Sequence, residues 1–270
     1  MEEVQFEAMG VACHVLGVGL ERGRLAWARA WVARMQDRFS RFEPDSELSR
    51  LNAGAGAWAP VSPDLEGLLR AALDAHRLSG GLVHAGVLQA MLATGYTRPL
   101  RLGPTRAALA EPAPLPRLPE ALEVEPGRAR LRPGTGIDLG GVAKGWLADR
   151  LAAELGENCL VNLGGDLFAR GAGPEGEGWP VGLGPVTVLL RDQGAATSAT
   201  DRRAWRQGAD RLHHLIDPRT SLPARTDLVE ASVVAPRAAE AEVHAKTALL
   251  LGAERAPVHL AAHALAWWLR

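Results

Sequence analysis

The 270 residues carry 30 Lys+Arg against 31 Asp+Glu, a net charge of −1, so no broad cationic field is offered to nucleic acid or to an anionic membrane. Hydrophobic residues make up 47% and charged residues 23%, enough to bury a substantial core in one large domain or two lobes. Two cysteines exclude a disulfide framework or a cysteine metal site, and 5% aromatics exclude a base-stacking platform for single strands. The longest apolar run, near residues 261–269, is too short to span a bilayer. The acidic start, Met1 to Glu7, lacks the apolar stretch of a signal peptide, so a cytoplasmic protein is expected.

Residues 4–20 alternate loosely and predict a strand entering a hairpin. Met9-Gly10 falls inside it, where a glycine marks a bulge or the close approach of another group. Residues 23–38 predict a helix whose Trp27, Trp31 and Met35 form one apolar core stripe. Asp45 or Ser46 is placed to cap a short helix ending near Asn52. Ser62 with Pro63 opens another helix through about His76, closed by Gly80-Gly81. Residues 82–93 form a further apolar, buried run, and His84 within it reads more readily as a core histidine than as a ligand. The proline-rich residues 99–135 predict a surface excursion with short strands at 121–124 and 129–131, either a separator of two lobes or a long insertion.

Residues 136–149 organise the rest. Asp138 comes first, then Gly140-Gly141, then Lys144 at the head of a helix that runs to Leu155 and ends at Gly156. Small residues let backbone N–H groups approach a phosphate, and a helix N-terminus adds positive potential. The pattern is neither a Walker A loop nor G-x-G-x-x-G. A strand, a turn and a helix with no ligand account for it equally well. Scarcity moves the reading: Lys144 and Lys246 are the only lysines of the chain. A surface accepts lysine or arginine alike, whereas a guanidinium cannot replace a compact ammonium in a tight site. Both lysines are therefore candidates for chemistry.

A short apolar strand at 159–163 leads into Gly164-Gly165-Asp166, a second glycine turn able to approach a ligand. Strands are expected at 179–184 and 186–191, then an Arg/Trp strand after Thr200. His213 to Thr220 leads into a turn, and 229–234 is a strand. Residues 238–251 predict a helix ending at Gly252, with Glu242 and Lys246 four apart on one face, most simply a surface ion pair. The tail from Val258 to Leu269 predicts a final strand or two. Helices and strands alternate without a βαβ rhythm, which favours α+β.

Several stretches, in this order, resemble the FAD:protein FMN transferase (ApbE) family. They are Phe6-Glu-Ala-Met-Gly10, Phe39-Ser-Arg-Phe42 with Ser46-Glu-Leu-Ser-Arg-Leu-Asn52, Asp138-Leu-Gly-Gly-Val-Ala-Lys-Gly145 with Asp149, Val161-Asn-Leu-Gly-Gly-Asp166, Ala196-Thr-Ser198, His214-Leu-Ile-Asp-Pro-Arg-Thr220 and the 241–252 helix. The resemblance spans nearly the whole chain and implies a single ApbE-like domain, 1–270. The implied fold is α+β and related to the T-fold, with mixed or antiparallel sheets, helices, and a flavin cleft between two lobes. It further implies FAD and Mg²⁺ as ligands. The implied reaction is transfer of FMN to a Ser or Thr hydroxyl of an acceptor protein, with release of AMP. A weakened FAD-binding protein and a metal-dependent FAD hydrolase giving FMN and AMP are the alternatives.

Carried over by position, Met9, Asp138, Lys144, the segment Leu82, Val83 and His84, and the backbone near Ile216 are expected to bind FAD. Gly141 through its carbonyl, Glu242 and Ala245 are expected to hold the metal. Glu242, Lys246 and His214 are the catalytic candidates. For His214 the competing expectation is a hydrogen bond that stabilises its turn. The family usually has Asp at the Glu242 position, Thr at Lys246, Asp at His84 and Gly at Ser221. An ammonium cannot ligate a cation, so Lys246 is expected to pair with Glu242 and stand partly where Mg²⁺ would sit.

Overall fold

The computed structural model describes residues 1–208 and 210–270. The chain forms two compact units. The first is built from residues 1–36, 142–198 and 228–270, the second from 37–141 and 199–227.

The first unit is organised by a seven-stranded sheet. Its strands, in spatial order, are Glu2–Ala8, Val11–Gly17, Cys159–Leu163, Asp166–Arg170, Gln193–Ala199, Glu230–Ala235 and Ala266–Leu269. The first two form a hairpin in register Ala8 with Val11, so Met9-Gly10 is its two-residue turn and not a bulge within a strand. Both turn residues have positive φ, 55° for Met9 and 68° for Gly10, the signature of a twist-matched hairpin turn. Two helices, Ala143–Leu155 and Ala238–His263, pack on this sheet and on each other. Leu147, Leu151 and Leu155 recur every four residues and are buried, as the periodicity of that helix demands. A ribbon of Trp179–Leu183 and Val186–Leu190 closes over Leu160, Leu167 and Ala195, with Trp179 donating its indole N–H to Arg170 O at 2.9 Å.

The two helices dock closely for an identifiable reason. A Cβ on Gly145 would meet Ala238 O at 2.6 Å and Ala239 Cα at 2.9 Å, so only glycine lets the backbones approach. The carboxylate of Asp149, one turn on, caps the second helix by accepting from Ala238 N at 2.8 Å and Ala239 N at 3.1 Å.

That second helix does not stop at Gly252. Gly252 takes φ 76°, ψ 173°, and the chain resumes helix to His263, so residues 258–263 are helical and only Ala266–Leu269 is a strand. Pro257 lies inside the resumed segment.

The second unit holds the helices Glu47–Ala53, Pro63–Leu78 and Leu88–Ala93 and a three-stranded sheet of Ala59–Pro60, Arg128–Leu131 and Leu122–Glu125. Ser46 Oγ accepts from Ser49 N at 2.9 Å and Ser62 Oγ from Leu65 N at 3.2 Å, so both expected caps form. Ile216 is buried against Ala90 and Met91. Among the described residues, no helix is long and apolar enough to cross a membrane.

Candidate functional site

In the first unit both lysines of the chain converge on one carboxylate. Lys246 Nζ lies 2.9 Å and Lys144 Nζ 3.3 Å from Glu242 Oε1, while Gly145 N–H donates to Glu242 Oε2 at 2.9 Å. Lys144 Nζ also pairs with Asp166 Oδ2, which the Gly164-Gly165 turn presents from the adjoining strand. Burial alone would raise the Glu242 carboxyl. The ammoniums of Lys144 and Lys246, with the hydrogen bonds from Lys246 and Gly145, outweigh it and hold the group below the usual carboxylate range.

The expected surface ion pair is thus a buried one. Spacing of i, i+4 is the same on either face of a helix, and the docking at Gly145 decides which face is covered. The cluster is layered. Glu242 and Asp166 side chains are 0% and 2% exposed, whereas Lys144 and Lys246 are 12% and 11% exposed. The carboxylates are sealed, while the two lysine side chains keep a slight exposure. The Ala143–Leu155 helix begins beside them; its cap residue Val142 makes no side-chain cap bond, and the Gly145 N–H of its first turn is given to Glu242 Oε2.

The donor set does not fit the Mg²⁺ that the family implies. Mg²⁺ needs oxygen ligands in octahedral array. The Glu242 oxygens are committed to three donors, Lys246 offers only donors, and Ala245 offers only backbone within a helix. Among the described residues, no group of three or more His, Cys, Asp or Glu side chains is arranged to hold a metal ion.

In the second unit Asp138 is paired with Arg41, Nε to Oδ2 at 2.5 Å, and accepts from Gly140 N at 2.7 Å. Arg41 also donates to Tyr96 O at 2.7 Å and lies over the rings of Phe42 and Tyr96. Arg41 sits in a quoted motif but carried no assignment. Its pairing with a carboxylate was not readable where 28 of 30 basic residues are arginine.

Leu82 and His84 line a cavity of about 830 Å³ with His76, Arg117, Pro218 and Arg219. Val83 is buried, and its N–H donates to Ser79 Oγ at 2.8 Å. His84 Nδ1 accepts from Gly86 N at 3.0 Å, which fixes its Nε2 as donor to Pro116 O at 2.9 Å. Burial pushes this imidazole down to about 4, helped by His76 and partly offset by the Pro116 carbonyl, so it is neutral at pH 7. In the turn that follows, His213 makes ring hydrogen bonds, to Ala224 O at 3.0 Å and from Leu215 N at 3.2 Å. His214 is half-buried and its backbone N–H donates to Arg203 O at 3.2 Å. Gly141 lies in the turn three residues before Lys144, and Met9 at the hairpin tip receives Gln36 Oε1 on its N–H at 2.5 Å.

Antiparallel sheets interleaved with helices define an α+β protein. The crystal structure of the ApbE protein of Thermotoga maritima superposes with a TM-score of 0.80 at 22% identity, over 93% of this chain and 86% of that one. That of the Pseudomonas stutzeri flavinyl transferase ApbE gives 0.80 at 21%, over 96% and 87%. At such identities the likeness establishes the fold. The sequence matches the ApbE family over residues 9–267, and the chain belongs to that family. It is 32% identical over 250 residues to the FAD:protein FMN transferase of Treponema pallidum, spanning 78% of this chain and 66% of that relative's length. It is 26% identical over 283 residues to that of Salmonella typhimurium, spanning 93% and 78%.

Proposed function

We propose that this chain transfers the FMN half of FAD to a serine or threonine hydroxyl of an acceptor protein, with release of AMP. The observation that carries the reading is the convergence of the chain's only two lysines on Glu242, beside the first turn of the Ala143–Leu155 helix. Such an arrangement is built for a pyrophosphate. The acceptor oxygen attacks the phosphorus of the FMN half, the bond from that phosphorus to the bridging oxygen breaks, and AMP leaves with the electron pair. Positioning and charge neutralisation supply most of the rate.

Glu242 serves this reaction by holding the two lysines and the Gly145 N–H, not as the base, because it is sealed from solvent and already accepts from three donors. His214 is the candidate to receive the hydroxyl proton and pass it to water. Asp138, held by Arg41, and the cavity beside Leu82 and His84 are the remaining proposed FAD contacts.

The test is incubation with FAD and a flavin-acceptor domain, with its target threonine intact and with that threonine replaced by alanine. Covalent flavin on the intact domain alone, with one AMP per flavin, is the expected result. Free FMN with AMP would make the chain a hydrolase, and unchanged FAD a binding protein.

A further inference from the structure

The misfit between this cluster and a divalent cation carries an inference that rests on the transfer reading above. A carboxylate has about four acceptor positions. On Glu242 three of them are taken by Lys144, Lys246 and Gly145 N–H. A cation brought to Glu242 would meet two ammoniums already there and would displace them from a site that is 0% exposed. The layering makes the substitution coherent. Both carboxylates are sealed, at 0% and 2% exposed, the two lysine side chains keep 12% and 11%, and each ammonium has three donors.

We infer that the Lys144–Lys246 pair is the built-in cation of this site, taking the FAD pyrophosphate directly, so that FMN transfer by this chain requires no divalent metal. In the transfer, the new bond joins the acceptor oxygen to the FMN phosphorus. The broken bond leaves its electron pair on the AMP phosphate, and the hydroxyl proton ends in water. The negative charge that gathers on AMP is met by the two ammoniums, which are covalently held and do not have to be recruited.

The experiment uses the full chain stripped with EDTA. FAD is titrated calorimetrically in EDTA and in Mg²⁺, Mg²⁺ is titrated into the free and the FAD-loaded protein, and AMP release is followed with the acceptor domain in both buffers. FAD affinity and AMP release are expected to differ by less than about twofold between the buffers, with no saturable Mg²⁺ heat. Stoichiometric Mg²⁺ binding overturns the inference, as does FAD binding or AMP release that EDTA abolishes and Mg²⁺ restores.

The double substitution E242D/K246T gives the site the residues usual in the family. It is expected to lose at least about tenfold of its FAD affinity in EDTA and to regain it with Mg²⁺. The single variant K246M, which keeps the stem and removes the charge, is expected to bind FAD about tenfold more weakly in either buffer. Unchanged affinity in K246M overturns the inference, and the titrations of the unmutated chain stand whether or not a variant folds. FAD bound in EDTA without AMP under any condition removes the transfer reading and supports the metal-free site. FAD bound in neither buffer overturns both.

Discussion

Replacing Gly145 by alanine is expected to wedge apart the two helices that build the lysine cluster. The new Cβ would lie 2.6 Å from Ala238 O, 2.8 Å from Ala238 C and 2.9 Å from Ala239 Cα. All three are main-chain atoms, and Asp149 already holds that end of the helix, so no side chain can swing away. Forcing a methyl into such a contact costs about 1–3 kcal/mol. Retreat of the helix also weakens the 2.9 Å bond from Gly145 N–H to Glu242, leaving a fully buried carboxylate one donor short, about 1–3 kcal/mol more. The better helix propensity of alanine returns about 1 kcal/mol. The net loss is about 1–5 kcal/mol, which in a chain of this size lowers Tm by roughly 2–20 °C. Gly23→Ala is the matched control, because a Cβ there meets nothing within 4 Å, and it is expected to be neutral or stabilising by up to about 1 kcal/mol. Scanning calorimetry on both variants decides the matter. A Gly145→Ala Tm equal to or above that of the unmutated chain would refute the docking argument.

Arg41→Met is expected to destabilise the second unit by about 3 kcal/mol, read as a lowered urea midpoint, because it removes the guanidinium partner of Asp138 in a site only 12% exposed. An unchanged midpoint would show that the pair is not holding Asp138. His84 and His244 are both pushed down to about 4, chiefly by burial, from an ordinary value of 6.5. The unfolded chain therefore binds protons that the folded chain refuses, so stability is complete above pH 6.5 and falls as pH drops toward 4. Tm measured across that interval should decline, less steeply in His244→Phe, and a flat profile would contradict the assignment. Burial raises both Cys13 and Cys159 thiols to about 11. A thiol reagent at pH 8 should label neither in the folded chain and both in denaturant; labelling of the folded chain would show that these side chains open readily.

What could be read from the sequence follows from where the physics is local. Ser46, Ser62-Pro63 and the leucines of Ala143–Leu155 act within one turn of themselves, and each forms as its neighbours dictate. The two lysines were legible through their rarity alone. Their shared partner was only half legible. Glu242 and Lys246 meet by helical spacing, but their burial depends on Gly145 against Ala238, residues 93 apart in the chain. Asp166 was seen as the end of a glycine turn, and nothing local says that the turn points it at Lys144. Gly252 misled for the opposite reason. A glycine with positive φ after a long apolar helix is the ordinary helix stop, yet here the next residues resume the helix and carry His259 and His263 back beside His244, with His244 Nδ1 3.0 Å from His259 Nε2.

The strand order has a consequence for how the chain is made. Val11–Gly17 pairs with Cys159–Leu163, and the far edge of the same sheet is supplied by Ala266–Leu269. On a ribosome the Glu2–Gly17 hairpin emerges long before its partner strand and waits, one edge unpaired, until residue 163 is clear. The sheet gains its last strand only once residue 269 has been made. Long-range pairing of this kind folds slowly and keeps an open strand edge available to other chains meanwhile. Translation speed and chaperone supply thus belong among the quantities that set how much active protein a cell obtains from this gene.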